Sequence, residues 1–245
     1  MTDTRKKSNI EIEINPIERF LMYVKDFLKR NSNKAVHVAV SILVLFVISL
    51  TAYLLVVRSS EKEIARFEII VDNYTKSISE HIHDDHADDK NLNKKIITEA
   101  NNKAITELNN LISETKYGFV YEMCNYWLGN ILFEEKRYGE AYKAFDIFIK
   151  KSSDDVFVPI AINKAAVCLE EEGQIDNAVA LLSAYVDTKN KINKDQIYYN
   201  LGRLYLLNNN QIKARESFKL VIDEYPESVY ANRSKERLFL LSAVK

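Results

Sequence analysis

The sequence predicts an all-α chain, an N-terminal single transmembrane helix followed by a helical-repeat solenoid, and three observations predict it. Only five glycines and three prolines interrupt 245 residues that are 47% hydrophobic and 28% charged, a composition of long helices and short joints. Residues 35–57, AVHVAVSILVLFVISLTAYLLVV, contain no Asp, Glu, Lys or Arg. In the C-terminal half a small residue followed four positions later by a large one recurs at spacings of 37 and 36 residues: Ala141 with Phe145, Ala178 with Leu182, and Ala214 with Phe218.

The apolar run divides the chain. Fifteen of its residues are Leu, Ile, Val or Phe, and its length matches the roughly 20 residues that cross a bilayer. A core helix of that length is rarely apolar all round, and a cleaved signal peptide has a shorter core of about 7 to 15 residues with a small-residue cleavage site. Neither fits a run that 34 residues precede and VVRSSEKE follows. Residues 1–34 carry a net charge of +3 and residues 59–245 a net charge of −5. Arg19, Lys25, Lys29, Arg30 and Lys34 before the span outweigh Arg58, Lys62, Arg66 and Lys76 after it, which places the N-terminus in the cytoplasm. The expected location is a bacterial inner membrane, single-pass, with the C-terminal domain periplasmic.

The cytoplasmic tail, 1–34, contains an amphipathic helix. Asn15 is placed as its N-cap, with Pro16 at the first helical position and Glu18 three residues after the cap. Ile17, Phe20, Leu21, Val24 and Leu28 then form an apolar stripe suited to a membrane surface or a partner, or to extending the anchor. After the span, 58–120 reads as a helical extension and a degenerate repeat, with Ile64, Phe67, Ile70, Val71 and Tyr74 on one stripe and Ala104 and Leu108 in the repeat register. The segment 81–93, HIHDDHADDKNLN, interrupts it. His81, His83 and His86 stand among four aspartates and are the residues a metal would use, but no apolar frame orients them, so the segment reads as a solvated loop without metal.

Residues 121–245 hold three repeats and a C-terminal capping helix. The third copy has Tyr198, Leu201, Gly202, Tyr205, Ala214, Phe218 and Pro226; the first has Leu128, Gly129, Leu132, Ala141 and Phe145, with Asn125 where a large residue is usual. The second has Ile162, Ala166, Leu169, Gly173, Ala178 and Leu182. This pattern resembles the tetratricopeptide repeat, which implies paired helices A and B with a groove lined by the A helices. Small residues let A and B approach, so Gly129 and Ala141 are expected to face one another. By register the partner-binding groove is Tyr126, Asn130, Phe133, Asn163, Val167, Glu170, Tyr199 and Arg203. The lysine of a carboxylate clamp is missing, so an aromatic and amide-lined groove is expected.

The order of short cytoplasmic helix, span, extension, degenerate repeat and KYGFVYEMCNYWLGNILFEEKRYGEAYKAF is similar to the YfgM family of ancillary translocon proteins. That resemblance implies contact with the Sec translocon and periplasmic chaperones. YPESVYANRSKERL is similar to segments of periplasmic repeat proteins of envelope assembly. The alternative role is a structural component of a large envelope machine such as the periplasmic collar of a spirochaete flagellar motor. No phosphate-binding loop, G-x-S-x-G or H-E-x-x-H is present, so no enzyme and no cofactor are expected. Cys124 and Cys168 are expected as buried small hydrophobes. A net charge of −1 argues against nucleic acid, and nothing points to a small-molecule substrate; the partners are other proteins, subunits of a membrane or envelope complex.

Overall fold

Helices account for the regular structure of the described residues, joined by turns of a few residues. The computed structural model describes residues 15–30, 32–82 and 90–243, and within these helices the side chains of residues 28, 32–36, 38–39, 52, 54–59, 81–82 and 90–91 lie outside the description. The chain divides into two units after Ser59.

In the first unit, α1 (Pro16–Arg30) begins where Asn15 caps it: the Asn15 side chain accepts from the Ile17 N–H at 3.1 Å. Ile17, Phe20 and Leu21 are exposed, and Leu28 lies outside the described side chains. Helix α2 (Ser32–Ile82) starts in this unit. Its described side chains from Val40 to Thr51, including Leu43, Leu45 and Phe46, are exposed all round the helix. Among the described residues no helix is long and apolar enough to cross a membrane; the unbroken described stretch of the apolar run is 40–51.

The second unit is a stack of helix pairs. The α2 stripe of Ile64, Phe67, Ile70, Val71 and Tyr74 packs in one core with Ala104, Leu108 and Leu111 of α3 (Lys90–Thr115). Arg66 on α2 makes a two-pronged ion pair with Glu114 on α3. Three further pairs follow: α4 (Phe119–Glu134) with α5 (Tyr138–Lys151), α6 (Phe157–Glu171) with α7 (Ile175–Val186), and α8 (Lys194–Leu207) with α9 (Gln211–Glu224). The last helix, α10 (Val229–Ala243), packs on α8 and α9. From α3 onward each helix touches the next, and among the A helices α4 touches α6 and α6 touches α8. The backbones of α5, α7 and α9 do not reach each other.

The A-to-B turns repeat one backbone solution. Lys136, Gly173 and Asn209 each adopt a left-handed conformation, with φ of 58°, 74° and 55°. In each turn the next residue's N–H reaches back to close the helix: Arg137 to the Leu132 carbonyl at 2.9 Å, Gln174 to Leu169 at 2.7 Å and Asn210 to Tyr205 at 2.8 Å. With the bonds that reach back three residues, Lys136 to Phe133, Gly173 to Glu170 and Asn209 to Leu206, these are Schellman caps. Glycine fits that position without penalty, asparagine tolerates it, and lysine is the strained member. Lys136→Gly is therefore expected to stabilise the fold by about 1 kcal/mol and to raise the thermal midpoint by about 2–4 °C. A calorimetric scan showing an unchanged or lowered midpoint would contradict this.

Candidate functional site: the interface between repeats

In the first and third repeats the A helix crosses its own B helix through a glycine-and-ring contact. A Cβ placed on Gly129 would lie 2.7 Å from the Phe145 ring, and one on Gly202 would lie 2.6 Å from the Phe218 ring. The Phe145 ring, one turn along α5 from Ala141, is the nearest side chain to Gly129, and Ala141 is fully buried in the same core. In the second repeat Ala166 replaces the glycine and Leu182 the phenylalanine, both buried in one cluster. The larger small residue is matched by the smaller large one. Leu128, Ala178, Leu201 and Ala214 are buried in these joints, Tyr205 is half-buried with Lys213 Nζ 5.4 Å from its ring, and Pro226 is exposed just beyond the end of α9.

The eight residues assigned by register to the groove lie on the A helices, but five of them, Asn130, Phe133, Asn163, Glu170 and Arg203, are engaged by side chains of a neighbouring repeat. Lys164 on α6 donates to the Asn130 Oδ1 on α4 at 2.5 Å, and its ammonium sits 5.2 Å from the Phe133 ring. Asn200 on α8 donates to the Asn163 Oδ1 on α6 at 2.8 Å. Arg203 on α8 grips Glu170 on α6 with both guanidinium arms, and that hydrogen bonding raises the Arg203 pKa above its ordinary value. Their side chains are only 30% and 17% exposed, which makes this the most enclosed ion pair among the described residues.

Aromatic positions behave likewise. Tyr126 packs 5.1 Å from both Phe148 and Phe157, and burial pushes its phenol up. Tyr199 packs against Phe218 at 5.7 Å and Tyr230 at 5.3 Å. Val167 is half-buried. Register alone places these residues on the correct helices; it does not disclose that their polar atoms find partners about one repeat away. The signal was present in the sequence as pairs 33 to 37 residues apart, such as Glu170 with Arg203.

Other assignments resolve as follows. Cys124 and Cys168 are free and buried, and burial pushes both thiols up to about 12, so they pack as small hydrophobes. The side chain of His81, and His83 and His86 entirely, lie outside the described residues. Among the described residues no group of three or more His, Cys, Asp or Glu is placed to hold a metal.

Several clefts open among the described residues, and one of them is lined mainly by apolar side chains. A cleft of about 400 Å³ opens between α5 and α7 with α6 as its floor, lined by Ile149, Val158, Ile162, Leu181 and Tyr185, with Asp154 and Asp155 in the adjoining loop. Its floor is the A helix α6, and its walls are the B helices α5 and α7.

Residues 195–228 match the family model described as tetratricopeptide repeat. No curated protein matches the chain. Among solved structures, a chain described as MamA MSR-1 C2 is 16% identical, covering 73% of this chain and 95% of its own, with a TM-score of 0.44. YrrB, described as a TPR protein with an unusual peptide-binding site, is 18% identical, covering 66% and 97%, with a TM-score of 0.28. The chain thus carries a tetratricopeptide repeat at 195–228 within an all-α stack of helix pairs built to the same plan.

Proposed function

We propose that this protein is a membrane-anchored scaffold for protein–protein interaction, held to a bacterial inner membrane by residues 35–57 with its repeats on the periplasmic side. The supporting observation for the anchor is an uncharged run whose described part presents Leu, Ile, Val and Phe on every side of α2. Such a surface is stable in hydrocarbon and not in water. The Lys/Arg excess before the run supports the cytoplasmic N-terminus. The repeat stack supports the scaffold role, because stacked helix pairs offer extended side-chain surfaces to peptides and helices.

Within that role the layout favours a YfgM-like accessory of the Sec translocon, with the motor-collar role as the alternative. Alkaline carbonate extraction of native membranes is expected to leave the chain in the pellet, and protease is expected to reach the repeats only after the outer face of the inner membrane is opened. Release into the supernatant would reject the anchor. A photoreactive residue at Tyr199 is expected to capture Sec subunits or exported chains; capture of flagellar-motor subunits instead would select the collar role.

A further inference from the structure

The A-helix surface is the expected docking face of a helical-repeat stack, yet here much of its polar chemistry is spent internally. A ligand approaching Asn130, Asn163, Glu170 or Arg203 meets groups already bonded to Lys164, to Asn200 and to each other. Displacing such bonds costs the desolvation of each group left unpaired.

The cleft between α5 and α7 has the opposite character. Its floor and walls are aliphatic or aromatic carbon: Ile149 from α5, Val158 and Ile162 from α6, and Leu181 and Tyr185 from α7. At about 400 Å³ it falls within the usual range for a ligand pocket, roughly 300–1,000 Å³. The backbones of its two walls, α5 and α7, do not meet. At the next junction the position of Ile162 is taken by Tyr198, whose ring packs 6.5 Å from that of Tyr225.

The walls are also held in place. The Tyr185 hydroxyl donates to the Ile192 carbonyl at 2.8 Å, which ties the end of α7 to the following loop. Asp154 Oδ1 accepts from the backbone N–H groups of Val156 and Phe157 at 2.8 and 2.7 Å, fixing the loop that enters α6. Asn190 donates to the Asp155 carbonyl at 3.1 Å and to its Oδ1 at 3.3 Å, joining the two rims. The charged residues lining the cleft are these two aspartates, and no Lys or Arg lines it. Each carboxylate has further acceptor capacity beyond the bonds named.

We propose that this cleft receives a partner peptide in which an aliphatic side chain is followed by lysine or arginine, the aliphatic group entering the apolar floor and the cation meeting Asp154 and Asp155. The inference rests on the interaction-scaffold reading and specifies its surface and the chemistry of its partner. Binding is driven by apolar burial, and the rim carboxylates set orientation and on-rate, so affinity falls with added salt.

The test uses the full chain in mild detergent and a fluorescein-labelled peptide, Ser-Gly-Leu-Leu-Lys-Lys-Gly-Ser, read by fluorescence anisotropy, beside a control with serine in place of both leucines. Saturable binding of the first peptide and none of the control is expected. The double variant Asp154→Asn with Asp155→Asn should weaken it about tenfold or more while keeping the Oδ1 that caps α6. Ala184→Phe, at the lip of the cleft, should abolish it, and unchanged circular dichroism melts would show that both variants fold. No saturable binding, or binding indifferent to Ala184→Phe, overturns the proposal. To separate the two readings, photoreactive residues are placed in native cells at Tyr199 and at Ala184: capture at Tyr199 alone rejects the cleft and leaves the scaffold, and capture at neither rejects both.

Discussion

Gly202→Ala is expected to destabilise the third repeat by about 1–3 kcal/mol, although alanine is the better helix former by about 1 kcal/mol. The reason is the Phe218 ring, which is fully buried and would stand 2.6 Å from the new methyl group, far inside the ordinary carbon contact of about 3.5–4.0 Å. The ring is enclosed in the core, so the ring or the two helices α8 and α9 must shift to admit the methyl group. The second repeat indicates the remedy, since it pairs Ala166 with Leu182 and keeps both buried. Phe218→Leu alone should cost about 1–2 kcal/mol as a shrunken core residue. The double variant should cost no more than Phe218→Leu by itself, a favourable coupling of about 1–3 kcal/mol. Urea unfolding of the detergent-solubilised chain measures all three; Gly202→Ala at or above parental stability would show that helix propensity, not close packing, governs the joint.

The second large effect is at the ion pair between repeats. Arg203→Met should loosen the third repeat from the second by about 2–4 kcal/mol, because it leaves the Glu170 carboxylate, 17% exposed, without its partner. Replacing both residues together, Glu170→Met with Arg203→Met, should return most of that loss, since methylene groups then fill the same space with no charge to desolvate. Stacked repeats are coupled mainly through nearest-neighbour interfaces, so the single variant is expected to speed hydrogen exchange in α8 and α9 more than in α4 and α5. Equal protection of α8 in parent and single variant would rule out a structural role for the pair.

These two sites differ in how far they could be read beforehand. The glycine-and-large-residue pairing is a local pattern with a fixed period, so the small residue in each A helix and the large residue in each B helix were visible from spacing alone. What spacing did not disclose is how closely the Phe145 ring approaches the Gly129 backbone. That depends on how α4 and α5 are rotated about their own axes, which the packing of the whole joint decides. The groove is the converse case. Register correctly placed Asn163, Glu170 and Arg203 on A helices, but their mutual bonds span 33 to 37 residues and exist only once neighbouring repeats are stacked at a particular angle.

By itself, then, the sequence determined the all-α composition, the uncharged apolar run at 35–57, the Asn15 cap of α1, the stripe of α2 that enters the core, and the repeat period. All of these are short-range properties: hydrophobic periodicity, capping chemistry and length act within a helix or between adjacent ones. Only the tertiary structure decided that the A-helix polar groups pair with each other and that Ile162, Leu181 and Tyr185 line a cleft between α5 and α7. Those outcomes depend on which side chains meet across a stacked interface, and volume and hydrogen bonding are settled there by groups a full repeat apart in the chain.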